Sequence, residues 1–513
     1  MLGKRQTSTD PIPGLDTGDT AWVLASTALV FIMIPGLGYF YSGMVRSKNA
    51  VSLVLLCSLS MSIIAFQWVF WGYSLAFSKT ATSSVIGNVR YFLLLHINDT
   101  THPNAPTIPE TLFAMFQGLF AALTGALTIG AAAERVRFMP TLVYFFIWTT
   151  LVYCPIAYWT WSANGFLSKL GVYDFAGGTP VEICSGFSAL AYALVLGKRH
   201  GFGEESFEPH NYLNIQLGAA LLWFGWFGFN SGSVVAANGR AGVAIFDTHI
   251  AGALAGLSWA LVAYIRYGRK FSSFHFCSGA VSGMVAITPA AGFVAPWAAL
   301  VFGAVAGVVC HFAVELKEKF GFDDALDVFA VHGVGGMVGM LLTGIFADKK
   351  IAILSGQVIG GGWINGRWKQ LPIQMAAIAA GALWSLIISF LILYIMNLIP
   401  FLEMRVHHEA EATGLDLAEM GEAGYNYAPN PNQPPSTLLS YNFEPTPKDS
   451  DTNSNTRRSN SEPQQDPSPS LDGLQMNFNE KAPRPDTGPS EPPNQMDDEQ
   501  KMSKAQPEIN EKP

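Results

Sequence analysis

The sequence predicts an all-α polytopic membrane protein with eleven transmembrane helices. Three observations lead to this prediction: only 13% of the 513 residues are charged, long apolar runs fill the first 400 residues, and basic clusters recur in alternate loops. A spanning helix needs about 20 mostly apolar residues to cross a hydrocarbon core of about 30 Å. One soluble domain would not need repeated runs of that length.

The apolar runs also divide the chain into predicted spans and domains. The spans lie, in chain order, at 20–44, 50–77, 110–133, 138–161, 179–197, 212–231, 242–265, 275–293, 296–315, 327–346 and 374–400. We therefore expect an extracellular segment at 1–19, a membrane transport domain at 20–400, an ordered cytoplasmic region at 401–428 and a disordered cytoplasmic tail at 429–513. The tail is rich in Pro, Asn, Ser, Gln, Asp and Glu and offers little apolar surface to bury. The acids in about the last hundred residues of the chain account for the net charge of −8.

Composition and motifs disfavour several other classes of protein. The five cysteines all fall inside apolar runs without paired spacing, so neither a disulfide framework nor a zinc site is indicated. The first residues, MLGKRQTSTD, have no apolar stretch beside the basic pair, so no cleavable signal peptide is expected. We find no nucleophile–base motif and no cluster of metal ligands. The sequence therefore predicts a membrane protein that is not an enzyme, needs no cofactor or metal, contacts lipid and binds no nucleic acid.

Basic clusters set the predicted orientation. They follow spans one, three, five, seven and nine: Arg46 and Lys48; Arg135 and Arg137; Lys198 and Arg199; Arg266, Arg269 and Lys270; Lys317 and Lys319. Basic residues close to span ends mark the cytoplasmic side. The N-terminus is thus predicted outside and the C-terminus inside, although the opposite loop 347–373 also carries four basic residues.

Two sequence patterns concern covalent modification. Asn98-Asp99-Thr100 lies in a predicted outer loop, which makes Asn98 a candidate for glycosylation. In the tail, Arg457 and Arg458 precede Ser459 and Ser461, which a kinase could phosphorylate. An ordinary polar tail is an equally open interpretation.

The membrane domain contains a repeat. Asp174 stands eight residues before Glu182 at the start of span five, and Asp324 stands eight residues before His332 at the start of span ten. Since these spans lie five apart, they enter the membrane from opposite sides, as in an inverted repeat whose solute pathway lies between the halves. We expect a 5+5 arrangement of 20–197 and 212–346, with a peripheral eleventh helix at 374–400.

The repeat singles out two ionisable side chains. Glu182 and His332 should face each other near the midplane, where such groups are costly and usually face a cavity or a partner. Their equivalent positions favour a functional pair. The alternative is a buried hydrogen bond that only locks two helices.

Several sequence segments closely resemble the ammonium transporter (Amt/Mep/Rh) family over about residues 20–425. The matching segments run from Asp174 to Leu190 and on through Leu196-Gly197-Lys198-Arg199, and include Ala132-Ala-Glu-Arg135, Trp226-Phe-Gly-Phe-Asn230, Val285-Ala-Ile-Thr-Pro289, Val331-His-Gly-Val334 and Gly356-Gln-Val-Ile-Gly-Gly-Gly-Trp363. The resemblance implies a homotrimer with one pore in each subunit.

The resemblance also implies roles for individual residues. Trp161, Phe120 and Ser233 would form an outer ammonium-recruiting site, and Phe116, Gln117 and Phe229 a constriction below it. Asp174 would structure the site and help deprotonation, while Trp226 and Thr288 would line or support the path. From the residues alone, each aromatic is more often a core or interface residue than a ligand contact.

Two positions depart from the family pattern. Many members have a histidine where this chain has Glu182, and glutamate there resembles a branch of fungal methylammonium and ammonium permeases. Met420 stands where the family commonly has histidine, in a region that would contact the inner face of the pore.

The function implied is import of ammonium or methylammonium across the plasma membrane. Ammonium would be deprotonated at the outer site, ammonia would cross an apolar pore, and the proton would pass separately by Glu182 and His332. Two alternatives are open: a passive channel for ammonia or carbon dioxide, or an ammonium sensor that signals through its tail.

Overall fold

The structure is a computed structural model that describes residues 12–425, and within this range it contains helices and no strand. Eleven of its helices follow the order of the predicted spans, and we number them α1 to α11. They are α1 Thr17–Met44; α2 Ala50–Gln67, continued by Trp68–Gly72 and Tyr73–Phe77; α3 Glu110–Ala132; α4 Phe138–Trp148, continued by Thr149–Tyr153 and Cys154–Trp161; α5 Gly178–Ile183, continued by Cys184–Leu196; α6 Tyr212–Gly232; α7 Gly239–Arg266; α8 Ser273–Ile287; α9 Pro296–Ala313; α10 Phe329–Val334, continued by Gly335–Phe346; and α11 Gln370–Asn397. The predicted all-α class is confirmed.

Within residues 12–425, nine of these helical segments are both long and apolar enough to cross a membrane. The other two are α6 and α8, of which α8 is a shorter apolar helix of 15 residues. The predicted number of eleven spans therefore stays a prediction. The predicted end of span eight at 293 is wrong, because turns occupy 288–293 and Pro289 has no N–H with which to continue the helical ladder.

Closely packed backbones connect the two predicted halves, since α1 packs along much of α6. A side chain at Gly218 of α6 would overlap the backbone of Phe40, and one at Gly225 would overlap Met33. Small residues let helices approach until their backbones touch, which is a common way to associate helices in lipid. The first helix of each half therefore joins that half to the other.

A buried cluster of charges ties together the loops at the end of the molecule predicted to be cytoplasmic. Arg199 Nε donates to Asp323 Oδ2 at 2.9 Å and Nη2 donates to Oδ1 at 2.9 Å. Glu134 accepts from Arg46 and, at 3.3 Å, from Arg199. Burial alone would raise the pKa of the Asp323 carboxyl, but the bond to Arg199 and the positive charge of Arg135 lower it below its ordinary value. These basic residues therefore hold the fold together as well as contributing to the charge pattern.

The segment after α11 packs back onto the same loops. Asp416 accepts from the backbone N–H groups of Ser52 at 2.7 Å and Val51 at 3.1 Å. Glu411 accepts from His200 N at 2.7 Å, and Met420 packs against the core. The predicted ordered region 401–428 is described as far as Tyr425, whereas Ser459, Ser461 and the whole predicted tail lie outside the described residues.

Candidate functional site

The helices α5 and α10 begin in the same unusual way. Each starts with a stretch of π-helix and is capped by an aspartate a few residues earlier. Asp174 accepts from the backbone N–H groups of Gly177, Gly178 and Thr179 at 3.0, 2.6 and 2.6 Å. Asp324 accepts from Phe329 N at 2.7 Å. Thr179 and Phe329 each lie five residues after the aspartate that accepts from their N–H, so the two aspartates cap the starts of the two helices in the same way.

The two helices cross with their backbones in direct contact. A Cβ on Gly186 would overlap the backbone N and Cα of Gly333, and a Cβ on Gly336 would lie 2.8 Å from Glu182 Cβ. The first turns of each helix also pack against the body of the other. Reciprocal contacts of this kind are expected where two related half-helices meet.

The crossing brings Glu182 and His332 together. Glu182 Oε2 lies 2.8 Å from His332 Nδ1, and both side chains are buried. This distance is compatible with two protonation states, since the imidazole can donate to a carboxylate or a carboxylic acid can donate to the imidazole. The other carboxyl oxygen, Glu182 Oε1, has no hydrogen-bond partner among the described residues. The pair can therefore hold a proton between two helices and has capacity for one further polar neighbour.

Aromatic rings fill the space toward the predicted outer face. The rings of Phe120 and Phe229 stack with centroids 4.0 Å apart and planes 19° apart. The ring centroids of Phe116 and Phe120 are 4.9 Å apart. The Trp161 ring meets the Phe120 ring edge-on, with centroids 6.2 Å apart. Phe120 thus contacts predicted members of both the outer site and the constriction, and no boundary separates the two groups.

Polar groups accompany these rings. Ser233 Oγ donates to the carbonyl of Phe229 at 2.8 Å, which leaves the lone pairs of the hydroxyl free to accept. Gln117 Oε1 is buried without a partner among residues 12–425. Trp226 Nε1 donates to Thr288 Oγ1 at 2.9 Å, so this pair braces α6 against the end of α8.

A narrow cavity continues from the crossing toward the end of the molecule that carries the charge cluster. Its lining is mainly apolar and comes from several helices: Leu37, Phe40, Tyr41, Met44, Leu123, Leu127, Leu222, Trp226, Trp259, Ser278, Val281, Leu326, Asp327, Val331 and His332. His332 belongs to this lining and Glu182 does not. Because Nδ1 of His332 is engaged by Glu182, Nε2 is the nitrogen left to meet a solute in the cavity.

The predicted residues therefore fall into three places. The aromatic group and Ser233 lie together, Glu182 and His332 lie at the crossing, and Trp226 and Thr288 lie beside both. The Asp174 carboxylate accepts from three backbone amides, and the Asp174 backbone carbonyl accepts from Trp161 Nε1 at 3.2 Å. Asn98 is exposed in the loop between α2 and α3.

The sequence alone indicates Gly186 and Gly336 as small residues at matching offsets in the repeat, with a role in helix packing, but it does not show that α5 and α10 cross at them. Each stands four residues after the ionisable group of its own half, and this equal offset is part of the sequence evidence for the repeat. No repeated sequence pattern indicated the inner cavity or the loop contacts of Trp161.

Comparisons with known proteins agree on one family. The profile described as Ammonium Transporter Family matches residues 21–425. Ammonium transporter 2 of Schizosaccharomyces pombe is 51% identical over 417 residues, which cover 80% of this chain and 81% of that protein. Ammonium transporter MEP2 of Saccharomyces cerevisiae is 43% identical over 441 residues, covering 84% and 88%.

Solved structures give the same result. The crystal structure of Saccharomyces cerevisiae Mep2 has a TM-score of 0.75 at 43% identity and covers 78% of this chain and 90% of its own. The crystal structure of Candida albicans Mep2 has a TM-score of 0.76 at 44% identity, covering 84% and 95%. Similarity in sequence and similarity in fold thus extend over the same membrane domain.

Proposed function

Because this chain belongs to the ammonium transporter family and is an ammonium permease, we propose that it imports ammonium by carrying ammonia and its proton along separate routes. The observation that carries this proposal is the 2.8 Å contact between Glu182 and His332 at the helix crossing. Two groups that can share a proton lie there beside an apolar cavity. Such a pair offers the proton a path that the cavity itself does not.

The outer aromatic group would recruit the cation. Aromatic faces attract ammonium-like cations within about 6 Å of the ring, and the rings of Trp161 and Phe120 meet edge-on with centroids 6.2 Å apart. The Ser233 hydroxyl can accept from an N–H of the same cation. Phe116, Gln117 and Phe229 would line the constriction, whose Phe120–Phe229 stack must open for a solute to pass.

Separating the proton avoids an energetic cost. Moving a bare cation into an apolar cavity costs several kcal/mol unless other groups replace its water. In the proposed step ammonium breaks one N–H bond, ammonia continues through the cavity, and the proton passes to the Glu182–His332 pair. On the inner side ammonia takes up a proton and becomes ammonium again. Asp174 would act by holding the start of α5, where Glu182 lies, and would thereby assist the deprotonation.

The proposal also covers the assembly of the protein, its membrane, its orientation and its modification. We propose a homotrimer with one pore in each subunit, in the plasma membrane, with the N-terminus outside. Exposed apolar side chains on the helices, such as Leu213 at 80% and Met139 at 70%, support contact with lipid or a neighbouring subunit. The exposed Asn98 supports glycosylation of the outer loop. Phosphorylation at Ser459 or Ser461 by a kinase rests on the sequence pattern alone.

Electrical recording tests the mechanism. We expect ammonium to evoke an inward current from the full-length chain reconstituted in proteoliposomes. Ammonia uptake without any current would replace the proposal with the passive channel. If deletion of the residues after Asn430 abolished signalling in cells but left uptake intact, the sensor function would be added to transport.

Replacing Glu182 by His should keep the current and shift its pH dependence by about one pH unit or more. The reason is that imidazole and carboxyl groups differ by about two units in their ordinary pKa values, so a different group would hold the relayed proton. The measurement is the peak ammonium current across a series of pH values. Glu182→Gln is the matched control: it retains an acceptor for His332 but binds no proton, and its current should be lost. Superimposable pH profiles for wild type and Glu182→His would refute a proton on this side chain.

A further inference from the structure

The outer loop between α2 and α3 contacts Trp161 through an ordered segment. Asn104 Nδ2 donates to the backbone carbonyl of Trp161 at 2.9 Å. The Trp161 ring stacks with Phe77, with centroids 6.3 Å apart and planes 13° apart. Asn104 supports the backbone of this tryptophan and Phe77 supports its ring, in addition to the bond that Trp161 Nε1 donates to the Asp174 carbonyl at 3.2 Å.

One buried histidine connects both supports. His102 Nε2 lies 2.9 Å from the carbonyl oxygen of Phe77, and Asn104 N donates to His102 Nδ1 at 3.1 Å. A carbonyl only accepts and a backbone N–H only donates, so Nε2 carries the hydrogen and Nδ1 carries none. The contacts therefore fix His102 as a neutral imidazole. Its ring also stacks on the Phe113 ring, with centroids 4.7 Å apart, and meets the Phe77 ring edge-on, with centroids 6.0 Å apart.

Protonation of His102 would break this arrangement. A hydrogen on Nδ1 would face the N–H of Asn104, and two donors cannot bond to each other. Asn104 would then lose the contact that fixes its backbone, and Trp161 would lose a bond that depends on Asn104. The consequence reaches the aromatic group because Trp161 lies edge-on to Phe120.

The charges around His102 leave it neutral at ordinary pH. Burial lowers the pKa of the imidazole below its usual value; the bond to Phe77 and the charge of Glu110 oppose this lowering, whereas Lys79 adds to it. Glu110 is itself occupied, since it accepts from Lys79, Tyr73 and Thr100. Because its pKa is lowered, the imidazole stays neutral at and above the ordinary imidazole pKa and takes up a proton only at lower external pH.

We propose that His102 and Asn104 are positioning residues that hold Trp161 in the recruiting site while the imidazole is neutral and release it in acid. The inference rests on the proposed recruiting role of Trp161. It adds an external acid response located in the loop, separate from proton transfer at the helix crossing.

The test measures the apparent KM for ammonium from currents of the full-length chain in proteoliposomes, between about pH 7.5 and about pH 4.5, which brackets the ordinary imidazole pKa. For Asn104→Ala we expect a KM about threefold to tenfold higher at neutral pH, the effect of losing one hydrogen bond, with the maximal current unchanged. For His102→Asn the side-chain oxygen can still accept from Asn104 N but cannot be protonated. Its KM should match wild type at neutral pH and lack the rise in acid.

Two further variants make the outcome decisive. Asn88→Ala removes a side chain whose bonds stay within the same outer loop and its border, without contact to Trp161, and should behave as wild type. Trp161→Ala should raise KM more than Asn104→Ala does. If Trp161→Ala raises KM while Asn104→Ala and His102→Asn follow the wild-type curve, the positioning role is overturned and the recruiting role stands. An unchanged KM in Trp161→Ala would overturn both.

Asn104 is exposed, so its truncation should not prevent folding. If Asn104→Ala nevertheless fails to elute as a folded protein, His102→Asn decides alone. A wild-type acid response in that variant overturns the proposal, and a flat response supports it.

Discussion

Replacing His332 by Ala is expected to abolish the ammonium current, reducing it by on the order of a hundredfold or to background. Among residues 12–425, the substitution removes the only hydrogen-bond partner of the Glu182 carboxyl and the one ionisable group at the crossing that lines the inner cavity. It leaves a buried carboxyl with two unpaired oxygens, and breaking a buried pair typically costs about 3–5 kcal/mol. We therefore expect lower thermal stability together with the lost current.

A second variant separates the two effects. His332→Asn can still donate to Glu182 through its amide but offers no nitrogen that takes up a proton. It should recover most of the stability and carry no current. His249→Ala is the control, because His249 is exposed on α7 and contacts only aromatic rings in the described part of the chain. Undiminished current in purified His332→Ala or His332→Asn would contradict a relay through this histidine.

Much of the architecture could be predicted because apolar length is a direct property of the sequence. The predicted spans 50–77, 110–133 and 138–161 differ from the observed helices by at most one residue at an end. The π-helical starts of α5 and α10 could not be predicted in this way, because hydropathy does not distinguish one helical hydrogen-bond register from another. The early end of α8 was missed because residues 288–293 remain apolar after the helix has stopped.

The candidate site was predictable where the repeat gave a second, independent copy of the signal. Glu182 and His332 stand at equal offsets from Asp174 and Asp324, and the structure places them in hydrogen-bond contact. Single residues gave no such signal. His102 is one polar residue in a loop, and only its two bonds, each fixing one ring nitrogen, reveal a connection to Trp161.

Basic residues show a different limit of prediction from the sequence. Arg135 and Arg199 contributed to the predicted orientation as members of basic clusters, yet both are buried and their guanidinium groups face Asp323. A count of basic residues cannot separate those that interact with the membrane surface from those paired inside the protein. The pairing depends on Asp323, which lies more than a hundred residues away in the sequence.

Replacing Gly186 by Ala should also strongly reduce both the stability of the protein and its ammonium current. One methyl group would overlap the backbone N and Cα of Gly333, and backbone atoms cannot move aside as a flexible side chain can. The two half-helices would have to separate, and overpacking of this kind typically costs about 1–3 kcal/mol. Glu182 lies one turn before Gly186, and His332 is adjacent to Gly333. Separation would therefore lengthen the 2.8 Å contact between them and reduce the current by about tenfold to a hundredfold, as small misplacements of reacting groups do.

Gly333→Ala is the matched control at the same crossing. Its added methyl group would meet the Phe329 ring at 3.1 Å and Gly186 Cα at 3.5 Å, distances that a small side-chain shift can accommodate. We expect it to lose much less stability and current than Gly186→Ala, measured by the folded fraction that remains after heating in detergent and by ammonium currents in proteoliposomes. The two glycines face each other, so their unequal sensitivity tests the direction of the contact and not only the need for small residues. If Gly333→Ala were the more damaging substitution, the crossing geometry described above would be wrong and the Glu182–His332 contact would need another explanation.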